Sequence, residues 1–382
     1  MKIIADENMP NAEKLFSHLG SVELVNGRAL TQAQVKDADV LLVRSVTKVT
    51  RDLLEGSQVR FVGSATIGVD HIDLDYLAEA GIVFSSAPGC NAEAVADYVF
   101  SGLSYLYMTK KLQWLDKKIG IIGYGNVGKT VYARFAQMGC RVCVYDPLKE
   151  SDTSSIHFVS LEEILTCDVI SLHAPLTRDG DHPTKGMLGE KELSKLSAGV
   201  AIISAGRGGV IDEQALIACH QRLEGDIHLV LDVWDKEPDI NHNVVSIVDI
   251  ATPHIAGYSK QGREKGTWMV YQALCQHLKL DIVDVHKHDA ISAGWFSSFD
   301  MSVEFPQEEM LARCIHAIYD VARDDARLRY KYRESKENNV FDWLRKHYVE
   351  RDELNTCVVS TQKNASLNIL DAVGFSIDTN KN

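Results

Sequence analysis

Short apolar runs separated by longer amphipathic stretches pattern this chain from its first residues. KIIAD, ADVLLVRS, VRFVGSA and GIVFSSA are apolar runs of strand length, and they predict buried strands. PNAEKLFSHLG and DLDYLAEAG repeat apolar residues at helical spacing and stop at glycine, which predicts helices between the strands. Strand alternating with helix implies a parallel sheet covered on both faces. A long helix, from about Ala92 to Trp114, interrupts the rhythm.

A second series opens at Lys118. Its predicted strands are KIGIIGYG, CRVCVYD, DVISLHAP, GVAIISAG, IHLVLDVW and VDIATPH, with helices such as VGKTVYARFAQMG and LEEILTC between them. Six strands behind a glycine-rich turn suit a complete doubly wound domain. Another long helix, about Lys260 to Leu278, follows and suits a return to the first domain. After about Val285 the pattern changes: WFSSFDMSVEFP alternates like a strand with one exposed face, and QEEMLARCIHAIYDVARDDARLRY has helical spacing. These predict a small α+β appendage, and the polar end SIDTNKN predicts a loose terminus.

Composition narrows the class. The 382 residues allow two or three domains, and 45% hydrophobic content is ordinary for a packed core. A formal charge of −13, without a Lys/Arg-rich run, argues against nucleic acid as a partner. Asp6 and Glu7 stand where a signal peptide needs apolar residues, and no run reaches the length of a membrane span, so the expected compartment is the cytoplasm with no membrane partner. Eight scattered cysteines, including CRVC at 140–143, lack a second Cys or His pair at zinc spacing and are expected to be core thiols.

The glycine loop GYGNVGKT carries the first chemistry, and it satisfies two patterns. Gly123, Gly125 and Gly128 spell the dinucleotide pattern G-x-G-x-x-G. Gly123, Gly128, Lys129 and Thr130 spell the nucleoside-triphosphate pattern G-x-x-x-x-G-K-[ST]. Both place amide N–H groups and a helix N-terminus around phosphate. Asp146, closing the next strand, stands where ribose hydroxyls would be bound and favours NAD over NADP. It also imitates a magnesium-holding residue, so the loop alone leaves both patterns open.

Three strand-end segments add Arg207 in SAGRGG, Glu237 in LDVWDKEP and His254 in TPHIAGYS. Singly they have ordinary readings as an anion or surface loop, a turn and a structural histidine. Together behind a dinucleotide loop they fit oxidation of a 2-hydroxy acid. His254 would take the hydroxyl proton, Glu237 would fix the ring's tautomer and strengthen it as a base, and Arg207 would bind the carboxylate and C2 oxygen. No metal is needed.

GYGNVG…YDP…SAGRG…LDVWDKEP…TPHIAGYS resembles the D-isomer-specific 2-hydroxyacid dehydrogenase family over essentially residues 1 to 280. ADENMP, LLVRSVTKV, FVGSATIGVDHID, SAPGCNAEAVADYVF and TPHIAGYSKQGREKGT resemble a branch of it that acts on a phosphorylated sugar acid. The resemblance implies α/β architecture: a discontinuous flavodoxin-like substrate domain (1–95 and 256–285), a Rossmann NAD domain (96–255) and a C-terminal domain (286–382) that forms a homodimer. It implies Arg207, Glu237 and His254 as catalytic residues and Ser45, Thr66 and Tyr258 as substrate contacts. For NAD it implies the loop Gly123, Gly125, Asn126, Val127 and Gly128, then Asp146, Ala174, Ala205, Gly206, Arg207, Asp232 and Gly257. Ser204 and Gly206 depart from many relatives, which carry Asn and a small non-glycine residue there. Within the first domain, Thr66 to Gly68 and Arg44, Ser45 and Lys48 lie at predicted strand ends, where amides, hydroxyls and cations suit carboxylate or phosphate. Another D-2-hydroxyacid dehydrogenase, such as one for 3-phosphoglycerate, and a non-catalytic NAD sensor are the alternatives.

Overall fold

A computed structural model describes residues 1–149, 156–281, 290–303, 305–334, 339–361 and 364–378. The chain forms two compact units, residues 1–91 with 259–293 and residues 92–258 with 294–382.

The first unit is built on a parallel five-stranded sheet of β1 (Lys2–Asp6), β2 (Ser21–Val25), β3 (Val40–Val43), β4 (Phe61–Ser64) and β5 (Val83–Ser85), in the order β2-β1-β3-β4-β5. This is the flavodoxin-like order. Successive side chains on a strand point to opposite faces. Ile3, Ala5, Leu42 and Phe61 therefore join a core with Trp268 and Tyr271 of the helix Lys260–Leu278, while Ile4, Leu41, Val43 and Val62 join another with Leu77. The apolar pattern does not predict strand β2. It is an edge strand with three exposed positions, so burial left little mark on its sequence.

The second unit holds β6 (Lys118–Ile122), β7 (Arg141–Tyr145), β8 (Val169–Leu172), β9 (Val200–Ser204), β10 (Ile227–Leu231) and β11 (Ile250–Ala251), all parallel, in the order β11-β10-β9-β8-β6-β7. Beyond β7 a single parallel bridge joins Val144 to Phe158. The expected six strands are all present. One face packs against Tyr98, Phe100, Val131 and Phe135, the other against Leu216 and Val244.

The C-terminal segment forms a three-stranded parallel sheet of β12 (Ser298–Met301), β13 (Val358–Thr361) and β14 (Ser376–Ile377), with helices Gln307–Ile318, Val321–Glu334, Val340–Lys346 and Asn364–Val373. Its side chains enter both faces of the large sheet's core: Leu311, Ile315 and Tyr319 on one, Leu328, Phe341 and Leu344 on the other. The terminus expected to be loose starts as β14, and residues 379–382 lie outside the described ones. All eight cysteines are free, and Cys143 is buried with its sulfur 3.5 Å from that of Cys167.

A buried ionic network fastens this segment. Arg134 donates to Asp97 at 2.7 Å and to Glu93 at 2.5 Å, and Asp97 also accepts from the Leu354 amide at 3.1 Å. Arg351 lies 3.8 Å above the Tyr319 ring and donates to the Ala94 and Ala256 carbonyls at 2.9 and 2.6 Å. Burial pushes the Asp97 carboxyl upward, against the pull of Arg134 and Arg351.

Candidate active site

The expected residues of the second unit lie beyond the C-terminal ends of β6 to β11, the edge at which doubly wound sheets bind ligands. Between β6 and the helix Asn126–Gln137 each glycine of the loop has a distinct reason. Gly123 has φ +90°, which side-chain-bearing residues rarely adopt. A Cβ on Gly128 would stand 1.9 Å from the Gly123 carbonyl oxygen, so only glycine lets helix and turn meet this closely. At Gly125 a Cβ would meet nothing within 4 Å, which leaves space for a pyrophosphate against the backbone. Asn126 is exposed and Val127 half-buried in the first turn.

The triphosphate pattern fails on side-chain direction. Thr130 donates its hydroxyl to the Asn126 carbonyl at 3.1 Å, and the exposed Lys129 has its ammonium 5.6 Å from the Tyr124 ring. Both behave as ordinary helix residues. Asp146 is held as a ready acceptor, one oxygen receiving the Tyr124 amide at 2.7 Å and the other the Leu148 amide at 3.1 Å. These features fit NAD, whose ribose hydroxyls need such a carboxylate.

After β8 and β9, Ala174 and the Ala205–Arg207 turn face each other closely. A Cβ on Gly206 would lie 2.8 Å from the Ala174 carbonyl oxygen, which accounts for glycine in this chain's version of the turn. Arg207 is half-buried and donates to its neighbour's carbonyl at 3.1 Å. The next residue, Gly208, abuts Trp234: a Cβ there would stand 1.7 Å from the Trp234 carbonyl oxygen. The Arg207 turn thus packs on the segment that carries Glu237.

His254 Nδ1 lies 2.7 Å from Glu237 Oε2, and the Trp234 amide donates to Oε1 at 3.0 Å. A carboxylate only accepts, so the ring carries a proton on Nδ1, and it is Nε2 that is bare in the neutral imidazole. The pair is partly open, at 29% exposure for the His254 side chain and 20% for Glu237. His254 adopts φ +55°, a strained backbone for a non-glycine residue. Its amide donates to the Asp232 carbonyl at 2.8 Å, and the following amides close the hold: Ile255 to Asp232 Oδ1 at 2.7 Å and Ala256 to Oδ2 at 2.8 Å.

Asp232, expected to contact the cofactor, has a structural task in this turn. It is 1% exposed, also accepts the Thr252 hydroxyl at 2.7 Å, and staples the histidine turn. Burial pushes its carboxyl upward while His254, Thr252 and the two amides oppose this. Thr252 and Trp234 were not singled out from the sequence. The Trp234 indole donates to the Thr252 carbonyl at 2.9 Å, and the buried Tyr98 hydroxyl meets the Thr252 hydroxyl at 2.8 Å. The signal for Trp234 lay inside LDVWDKEP; that for Tyr98 needed the fold. Gly257 and Tyr258 follow, half-buried, with the Tyr258 amide donating to the Ile255 carbonyl at 2.7 Å.

In the first unit, Ser45 is exposed after β3 and Thr66 half-buried after β4, the C-terminal ends of neighbouring strands. Thr66 bonds Ser64 at 2.8 Å, and Ser64 meets His71 Nε2 at 3.1 Å. Arg44 reaches the Asn8 carbonyl at 3.4 Å, and Lys48 is exposed. Among the described residues no three His, Cys, Asp or Glu side chains cluster as a metal site, and no helix is long and apolar enough to cross a membrane.

Comparison with known proteins agrees with this geometry. Residues 105–256 match the family described as D-isomer specific 2-hydroxyacid dehydrogenase, NAD binding domain, and residues 291–374 match a domain of unknown function, DUF3410. An erythronate-4-phosphate dehydrogenase of a Marinomonas species is 74% identical, covering 99% of this chain and 100% of its own length. That of Marinobacter nauticus is 45% identical at 99% and 100% coverage. Among solved structures, D-lactate dehydrogenase from Aquifex aeolicus with NAD and lactic acid aligns with TM-score 0.60 at 26% identity, covering 73% of this chain and 96% of that one. NAD-bound 3-phosphoglycerate dehydrogenase of Entamoeba histolytica gives 0.61 at 27% identity, covering 74% and 97%. The cofactor is NAD, the protein is an oxidoreductase, and the chain belongs to the D-isomer specific 2-hydroxyacid dehydrogenase family, among the erythronate-4-phosphate dehydrogenases.

Proposed function

We propose that this protein oxidises 4-phospho-D-erythronate to (R)-3-hydroxy-2-oxo-4-phosphooxybutanoate with NAD, a step of pyridoxine 5'-phosphate synthesis. The 2.7 Å His254–Glu237 pair, with Nε2 bare, carries the reaction type; the substrate named by the 74% identical relative narrows it to this acid. Bound NAD supplies the hydride acceptor for C2. His254 Nε2 takes the C2 hydroxyl proton, and Glu237 stabilises the imidazolium through Nδ1. The Arg207 guanidinium, a planar cation, holds the substrate carboxylate and the C2 oxygen as it becomes a carbonyl. Ser45, Thr66 and Tyr258 are the proposed substrate contacts, and Gly123, Gly125, Asn126, Val127, Gly128, Asp146, Ala174, Ala205, Gly206, Asp232 and Gly257 the cofactor's.

A homodimer formed through residues 286–382 belongs to the same reading. The exposed Trp295 (79%) and Phe296 (60%) support it, since large apolar side chains at a surface favour a partner. Eight free thiols suit a reducing cytoplasm. The deciding assay is NADH production from erythronate 4-phosphate but not from 3-phosphoglycerate, and the reverse preference overturns the substrate. His254→Ala should abolish turnover and keep NAD affinity. Persisting turnover would remove His254 as the base, and a wild type that binds NAD without oxidising either acid would point to an NAD sensor.

A further inference from the structure

The C-terminal segment brings a second cation to the catalytic turn. Arg345 lies on the helix Val340–Lys346, more than eighty residues beyond the motifs that define the site. Its guanidinium carbon is 5.8 Å from the Tyr258 ring centroid and 5.9 Å from that of Phe341. Its ion pair with Asp342 is long, at 3.9 Å, and its Nε is buried without a hydrogen-bond partner. Such partial withdrawal of a cation from water is costly unless a nearby group uses its field. Burial works against its charge, but the Tyr258 hydroxyl, the Glu237 carboxylate and, more weakly, Asp342 outweigh it and hold the guanidinium firmly cationic.

Tyr258 is gripped from the same segment a second time. Tyr348 packs edge-on against it with ring centroids 5.6 Å apart. Tyr348 is itself anchored, donating to Asp324 at 3.0 Å. Three residues along, Arg351 holds the Ala256 carbonyl at 2.6 Å, two residues before Tyr258. The phenol four residues after His254 is therefore oriented by side chains outside the dehydrogenase motifs.

We propose that Arg345 is a positioning residue for the oxidation: together with Tyr348 it fixes the Tyr258 ring so that its hydroxyl meets the substrate. This rests on Tyr258 being a substrate contact. A cation over an aromatic ring also explains why arginine, with a planar face and weak hydration, occupies the position.

The test is a double-mutant cycle of Arg345 and Tyr258 on the full-length enzyme, read as KM for the acid, KM for NAD and kcat. Arg345→Met should raise KM for the acid about tenfold, the loss of one partly buried cation–π contact. KM for NAD should stay within about twofold, because the cofactor loop is untouched. Arg345→Lys keeps a cation over the ring and should recover to within about threefold of wild type. In a Tyr258→Leu background, Arg345→Met should add less than about twofold, since residues acting through one contact are not additive. Full additivity, or wild-type kinetics for Arg345→Met, overturns the proposal. Should Arg345→Met fail to fold, Arg345→Lys alone and combined with Tyr258→Leu completes the cycle. Wild-type KM in Tyr258→Leu instead removes Tyr258 as a substrate contact. The cycle is run on whichever acid the wild type oxidises, so an error in the assigned substrate shows itself separately.

Discussion

Replacing Glu237 by glutamine separates the charge of that side chain from its shape. The Trp234 amide donates to one oxygen at 3.0 Å, so the glutamine carbonyl must occupy that end, because an N–H cannot face another donor. The amide NH2 is then turned to His254 Nδ1, where the carboxylate stood at 2.7 Å. Nδ1 must accept, and the ring proton moves to Nε2, the atom that has to be bare for the substrate hydroxyl. The variant fills the same volume but holds the wrong tautomer. The expected loss in kcat is about 10³–10⁴-fold, the scale of tautomer errors in histidine–carboxylate catalysis. That is about 4–5.5 kcal/mol of transition-state stabilisation. Steady-state NADH formation measures it, beside NAD titration and thermal unfolding, both of which should remain near wild type. Glu237→Asp keeps two acceptor oxygens and should lose less. Activity of Glu237→Gln within about tenfold of wild type, or Glu237→Asp the poorer of the two, would refute the tautomer argument.

Other residues give independent checks. Gly128→Ala places a Cβ 1.9 Å from the Gly123 carbonyl oxygen, so the helix must back away from the loop; NAD affinity should drop and stability fall by about 1–3 kcal/mol, read by fluorescence titration and urea denaturation, and unchanged values would contradict the close packing. Lys129→Ala should leave turnover within about twofold, since its ammonium lies toward Tyr124 on the surface; magnesium-dependent ATP hydrolysis lost in this variant would restore the triphosphate pattern. Burial pushes the His173 imidazole down to about 3, with Nδ1 buried and unpartnered. The unfolded chain therefore takes up that proton first as pH falls below about 6.5, and the stability lost on acidification reaches up to about 1.4 kcal/mol per pH unit until the folded value is passed. His173→Asn should flatten this slope between neutral pH and pH about 5, and an unaltered slope would place the acid sensitivity elsewhere.

Legibility in the sequence followed burial and local spacing. Strands such as VLLV at β3 and VISL at β8 are buried at every position, so they stood out as apolar runs. Half-exposed β2 did not, nor did β13, β14 and the helices Val340–Lys346 and Asn364–Val373. Arg207, Glu237 and His254 were visible because each sits in a strand-end motif. The meeting of Glu237 with His254, and the packing of the Arg207 turn on Trp234, required the sheet, and the stapling role of Asp232 required knowing that its side chain turns inward. Arg345 had no local signal. A single arginine in an amphipathic helix reads as solvated, and only packing shows it over Tyr258.

The way the C-terminal segment inserts Leu311, Tyr319, Phe341 and Leu344 into the core of the large sheet has a consequence for biosynthesis. Chains emerge from the ribosome N-terminus first. When His254 has been polymerised, all six strands of that sheet exist, yet parts of both apolar faces still await side chains 50 to 120 residues away in the unmade chain. The five-stranded sheet is also waiting then, for Trp268 and Tyr271. Neither sheet can close early. A premature stop in the last quarter of the message would thus yield no shortened dehydrogenase but a chain with uncovered apolar surface, a substrate for chaperones and proteases.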